Sequence, residues 1–235
     1  MGADVQDDRI EAEVCGWGMG YASWGVKYAV FQGDPKTDPR VWEQLDALIK
    51  TTWKRADGAV LAIMCTCIDS GGHCTSQVYR YTRLREARRV YAIKGRGGMG
   101  VPMVSKPSRS NREKAVLFTL GVDAIKTLLY SRLRVEVEGP DCCHWPRDEK
   151  SGYDHSYYVG LVSEERLITT TRRGKKVEWV KKKAKIRNEA LDCRVYNTAA
   201  ALIINPDFKA LEAALNHPQP HKKKKTSPVY SRGVT

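Results

Sequence analysis

Apolar and polar residues alternate strictly along Ile10-Glu11-Ala12-Glu13-Val14, the period-two pattern of a strand with one face turned to a core. The preceding Ala3-Asp4-Val5-Gln6 is also strand-like, and the polar Asp7-Asp8 between them predicts a hairpin turn. Trp24 to Phe31 supplies a third strand to this meander, and Gly33-Asp34-Pro35 ends it. The period then changes. Asp38-Pro39 predicts a helix start, with Asp as N-cap and Pro at the first helical position; Trp42, Leu45, Leu48, Ile49 and Thr52 follow at helical spacing. Asp57-Gly58 closes that element. The run from Ala62 to Ile68 is apolar enough for a buried strand and ends at Asp69, where Gly71-Gly72 lets the chain turn sharply. Thr75 to Arg88 predicts a second helix and Val90 to Ile93 a short strand. The order βββαβαβ predicts an α/β fold: a mixed sheet, antiparallel meander plus parallel strands, flanked by helices.

Farther on, Val116 to Leu120 predicts a strand, Gly121-Val122-Asp123 a helix running to about Leu133, and Tyr153 to Leu167 a partly helical stretch. Val177 to Val180 reads as a strand. Asn188 to Ile204 predicts a helix with Leu191, Val195, Thr198 and Leu202 along one face; Ala190, Ala199, Ala200 and Ala201 allow close packing, and Asn205-Pro206 stops it. Two basic stretches interrupt these elements. Between Lys94 and Lys114, four glycines alternate with Lys94, Arg96, Lys106, Arg109 and Arg112, and Glu113 is the lone acid; a mobile basic loop over a site is expected there. Arg172 to Arg187 is denser still, with Lys181, Lys182, Lys183, Lys185 and Arg187 facing Glu178 alone. Residues 217–235, with Lys222 to Lys225 and three prolines, read as a disordered basic tail, leaving 1–216 as the predicted domain.

The net charge of +13 on 235 residues favours a polyanionic partner, most simply nucleic acid, over an uninvolved basic surface. No apolar run reaches the eighteen or so residues of a membrane span, no secretory signal opens the chain, and no membrane partner is expected. Seven cysteines, an odd count without regular spacing, suit reduced thiols inside a cell. Cys65, Cys67, Cys74 and Cys142-Cys143-His144 fit no standard zinc spacing.

Charge also singles out three acids. Asp69 ends an apolar strand, Asp4 lies between Ala3 and Val5 in the first strand, and Asp192 sits between Leu191 and Cys193 near the start of the long helix. A frayed terminus for Asp4 and a salt bridge or helix-dipole role for Asp192 are the plain alternatives. Brought together, three such carboxylates can hold two divalent cations roughly 3.5–4 Å apart for phosphodiester hydrolysis. Oxygen ligands select Mg²⁺ or Mn²⁺ rather than zinc.

Several motifs occur in one order: Ala3-Asp4-Val5-Gln6-Asp7-Asp8-Arg9 followed by Trp17-Gly18, Ile68-Asp69-Ser70-Gly71-Gly72-His73, Ile93-Lys94-Gly95, Gly121-Val122-Asp123, His144-Trp145-Pro146, and Arg187-Asn188-Glu189-Ala190-Leu191-Asp192-Cys193. Over about residues 2–204 the chain resembles the C-terminal nuclease domain of the large terminase subunit of lambda-like tailed bacteriophages. The resemblance implies an RNase H-like fold and metal-dependent cutting of concatemeric double-stranded DNA during viral genome packaging, in the cytoplasm of an infected bacterium. It implies Asp4, Asp69 and Asp192 as catalytic metal ligands, and a small terminase subunit and portal as partners of the full-length protein. The abrupt start and the lack of a phosphate-binding loop ending in Lys-Ser/Thr suggest a domain of a longer polypeptide, with the packaging ATPase upstream.

Lesser candidates are Asp8 and Asp123, as accessory acids or as turn and helix-cap residues, and His73 and His144, as contacts to phosphate or to a metal-held water. The candidate DNA contacts are Lys94, Arg96, Lys106, Arg109, Arg112, Lys181, Lys182, Lys183, Lys185 and Arg187. Two further readings stay open: a junction resolvase or other RNase H-like nuclease, and a non-catalytic basic DNA-binding module.

Overall fold

The computed structural model describes residues 1–171 and 174–216, so the expected tail at 217–235 lies outside the described residues. In chain order the elements are β1 (Gly2–Val5), β2 (Arg9–Trp17), β3 (Ser23–Gln32), α1 (Pro39–Lys50), β4 (Thr52–Lys54), β5 (Val60–Ala62), β6 (Thr66–Asp69), α2 (Thr75–Arg83), β7 (Val90–Arg96), β8 (Ser108–Arg109) and β9 (Val116–Gly121). They continue with α3 (Val122–Arg132), β10 (Cys143–His144), α4 (His155–Leu161), β11 (Glu164–Thr171), β12 (Gly174–Lys181), α5 (Glu189–Ile204) and α6 (Phe208–Asn216).

Eight strands form one sheet in the order β10-β3-β2-β1-β6-β7-β9-β8. β1, β2 and β3 are the antiparallel meander, while β1, β6, β7 and β9 run parallel. This mixed α/β sheet is the RNase H-like arrangement that the resemblance implied. Period-two alternation decides its two faces. Ala3, Val5, Ile10, Ala12, Val14 and Ile68 pack with Val41, Leu45 and Val78 of α1 and α2. On the opposite face Cys67 and Ile93 meet α3, α4 and α5 through Ile125, Leu129, Tyr157, Leu191 and Val195. α5 lies directly on β1, because a Cβ added at Gly2 would stand 2.2 Å from the carbonyl oxygen of Cys193.

The start of α1 follows the sequence, with Asp38 as N-cap accepting from the Arg40 N–H and Pro39 at the first turn. Other elements depart from it. Asp57-Gly58 is the turn of the β4–β5 hairpin, with Gly58 at φ +86°, rather than a plain stop; Ala62 closes β5, and β6 shrinks to four residues. That hairpin escapes pattern reading because Val60, Leu61 and Ala62 are all exposed and present no buried face. The helix expected to reach Arg88 ends at Arg83 and is followed by a 3₁₀ turn at Glu86–Arg88. The segment after Ile93 is no free loop: β7 continues to Arg96, Val104 bridges Leu120, and β8 pairs β9. Glu164 to Leu167 is the start of a two-stranded ribbon, β11–β12, and not helix. α6 had no counterpart among the expected elements.

Candidate metal centre and nucleic-acid interface

The sheet register brings the three acids to one place. Ala3 pairs Ile68 in parallel, so the next residues, Asp4 and Asp69, leave β1 and β6 side by side at the carboxyl end of β6. Asp4 also faces Glu11 across β2, which puts it on the α5 side of the sheet. Asp192, in the first turn of α5, is carried there by the close packing of that helix on β1.

Electrostatics describes the result. Burial first, then the charges of Asp192, Asp69 and Glu189, raise the Asp4 carboxyl well above the usual carboxylate range, against a hydrogen bond donated by the Gln6 amide. Asp192 is pushed up to about 7, mainly by burial; the nearby Lys126 ammonium opposes this, while Glu164, Asp69 and Glu189 add to it. Asp69 is raised by burial, with hydrogen bonds from the Gly71 and Ser70 N–H groups and the Lys94 charge acting the other way. The Gly71 N–H donates to Asp69 Oδ1 at 3.1 Å. The three carboxylates thus repel one another in a poorly hydrated place.

Such a donor set fits a hard divalent cation: oxygen atoms only, and negative charge beyond what the neighbouring cations offset. Among the described residues no three His, Cys, Asp or Glu side chains already stand close enough to share one ion.

Around the acids lies a second ring of contacts. Lys126 Nζ is 2.6 Å from Glu164 Oε2 and 3.7 Å from Asp192 Oδ1. The Asn188 amide donates to Glu164 Oε1 at 3.0 Å and to Asp192 Oδ2 at 2.9 Å. Arg9 bridges Glu11 and Glu189, each at 2.6 Å, and Arg187 contacts the same two carboxylates while its side chain stays 61% exposed.

The remaining candidates divide. Lys94 stands one residue past the Asp69 level on β7 and acts on that carboxylate. Lys181 ends β12, Lys182, Lys183, Lys185 and Arg187 lie on the connection from it into α5, and all five are exposed. Arg96 and Lys106 are exposed at the carboxyl half of the parallel strands. Arg109 and Arg112 are elsewhere: Arg109 pairs Val116 at the start of β9 and holds Glu86 at 2.7 Å, at the sheet end opposite Asp69, and Arg112 lies in the turn beside it. Asp123 is not the N-cap of α3; it sits inside the helix and accepts the Gly98 N–H at 2.7 Å. Asp8 is 71% exposed and paired with Arg9, and His73 reaches Asp7 at 3.1 Å. His144 stacks on Trp24 on strand β10 at the sheet edge, four strands from β6. The cysteines gather no zinc site among the described residues. A concavity of about 270 Å³ between α1 and α2, lined by Trp42 and Tyr81, lies on the opposite face from the acids.

The family model "Terminase large subunit gpA, endonuclease domain" matches residues 1–214. The chain belongs to that family. It is 33% identical over its whole length to the terminase large subunit of Escherichia phage lambda, and 31% identical over 85% of its length to that of Enterobacteria phage P21. It spans 37% and 31% of those two relatives, about a third of their length. No solved structure matches.

In this terminase endonuclease domain, Lys126 and Glu164 lie outside every motif quoted from the sequence, and Gln6 and Arg9 stand within the first motif without an assigned role. Lys126 carried a signal, since it lies between Ile125 and Leu129 on the buried side of α3 where a lysine needs a carboxylate. Glu164 carried none, because its strand was read as helix.

Proposed function

We propose that residues 1–216 form the nuclease domain of a viral DNA-packaging terminase, cutting concatemeric double-stranded DNA by two-metal phosphodiester hydrolysis. The observation that carries this reading is the convergence of Asp4, Asp69 and Asp192, whose burial and mutual repulsion leave negative charge that divalent cations would neutralise. When bound, Mg²⁺ or Mn²⁺ supplies Lewis acidity toward the attacking water and the leaving 3′ oxygen. The chain supplies the rest. The Gly71 and Ser70 N–H groups hold the Asp69 carboxylate, and Asn188 orients Asp192. Lys94 and Arg187 stand at the rim, where cations hold a phosphate backbone without reading its sequence. A small terminase subunit and a portal are the expected partners of a longer protein, in the cytoplasm of an infected bacterium. No helix among the described residues is long and apolar enough to cross a membrane.

The test is plasmid cleavage. Asp69→Ala should keep the circular dichroism spectrum and lose nicking in Mg²⁺ and in Mn²⁺ by at least about 10³-fold. Nicking at the wild-type rate in Mn²⁺ would remove Asp69 from the site. The net charge of +13 also suits one rival, a basic binding module, which predicts DNA binding with no cleavage by wild type in either metal.

A further inference from the structure

Beside the acids, separated from Asp192 only by the Lys126–Glu164 pair, the surface opens into a concavity of about 470 Å³. Its floor and walls come from α3 and from the base of the β11–β12 ribbon. Strand alternation explains why these groups converge: Glu164 and Arg166 share one face of β11, and Arg166 pairs Trp179 across the ribbon, so all three point the same way. Trp179 meets Tyr130 of α3 with ring centroids 4.6 Å apart, and its indole N–H donates to the Asp123 carbonyl, so the aromatic wall is fixed. The Tyr130 hydroxyl donates to the Glu164 carbonyl at 2.6 Å, tying that wall to the acid cluster. Thr127, Ser131 and Glu165 also line it, with Arg134, Arg166 and Lys182; these three cations are exposed, and none has an ion-pair partner among the described residues.

Unpaired cations beside a rigid aromatic wall suit a ligand that carries both a phosphate and a flat ring. An acidic peptide would use the cations and leave the rings idle. A volume of this size is that of a small-ligand pocket and cannot admit a base pair still in its duplex. We propose that the concavity is a subsite for one unpaired nucleotide of the strand flanking the scissile phosphate, its phosphate on Arg134, Arg166 and Lys182 and its base against Tyr130 and Trp179. That the strand is the one being cut rests on the nuclease reading above; the existence of the subsite does not.

The full 235-residue chain is titrated in EDTA with a fluorescently labelled, 5′-phosphorylated dT trinucleotide, using anisotropy, and with unlabelled thymidine 5′-monophosphate and inorganic phosphate as competitors. Arg166→Ala combined with Arg134→Ala should weaken trinucleotide binding at least ~10-fold, and Trp179→Ala by ~10-fold, the scale of one lost base stack. Arg109→Ala, at the sheet end opposite Asp69, should bind as wild type does. Because Trp179 is half-buried, the exposed Arg166→Glu is the variant that should keep the wild-type circular dichroism spectrum and melting temperature while abolishing binding. Equal binding by all variants overturns the subsite. Inorganic phosphate competing as well as the mononucleotide overturns the role of the rings, and a hexaglutamate peptide competing better than the mononucleotide assigns the concavity to acidic peptide instead. If Asp69→Ala still cuts plasmid while Arg166→Glu loses the trinucleotide, the metal-site reading falls and the subsite stands.

Discussion

Two groups of buried acids occupy the same face of the sheet and are treated in opposite ways. Glu11 and Glu13, on β2, are 2% and 0% exposed, and each has its cation. Arg194, itself fully buried, meets Glu13 Oε1 at 2.6 Å beside the Tyr157 hydroxyl and lies against the Trp145 ring, while Glu11 takes Arg9, Arg187 and Tyr28. Asp4 one strand away, Asp69 two strands away and Asp192 on α5 have amides, backbone N–H groups, the Lys94 charge and a 3.7 Å contact from Lys126, and their proton affinities rise. The lesson is that burial alone does not mark a site. A buried carboxylate with a guanidinium partner is architecture; a group of buried carboxylates short of cations is, under the function proposed above, a place kept for a charged ligand.

Breaking the first group should have the largest effect on folding. Arg194→Ala strands Glu13 in the core, and urea unfolding should show a loss of about 3–5 kcal/mol. The second group should respond with the opposite sign. Asp192→Asn removes repulsion, and in EDTA at pH 8 the variant should be more stable than wild type by on the order of 1–3 kcal/mol, while cutting DNA poorly in Mg²⁺. A loss of stability in that variant would make Asp192 a structural acid like Glu13.

The pH dependence sharpens the contrast. Folding raises the Asp192 pKa from 3.8 to about 7, so between those values the folded chain binds a proton that the unfolded chain does not. Metal-free stability should therefore decline from about pH 4 to about 7 and then level off, and Asp192→Asn should flatten that part of the melting-temperature profile. Divalent cations compete with the same proton, so wild-type cleavage should rise as pH approaches 7 from below. The smallest expected effect lies at the sheet edge. His144→Ala, which loses only its stacking on Trp24, should leave cleavage within about twofold of wild type; a larger loss would extend the site across four strands.

Much of this was legible from local pattern. The meander, α1 with its Asp38 cap, α3 and the long α5 follow periodicity and turn chemistry, which act over a few residues. The same locality explains the failures. The β4–β5 hairpin buries no face, and the β11 strand begins where Tyr153 to Leu167 still shows apolar residues at helical spacing. Arg109 and Lys94 look alike in a basic, glycine-rich stretch, yet the β8–β9 pairing sends one to Glu86 at the far end of the sheet and leaves the other beside Asp69.

By itself the sequence determined the α/β class, the acids worth watching and, through motif order, the kind of enzyme the chain resembles. Only the tertiary structure decided which charges meet. Asp4, Asp69 and Asp192 are neighbours because parallel pairing sets β1 against β6 and because Gly2 lets α5 touch β1. Glu13 and Arg194 cancel through a contact that spans 181 residues of chain. Charge interactions fall off with distance in space rather than along the chain, so no local pattern can assign a carboxylate its partner.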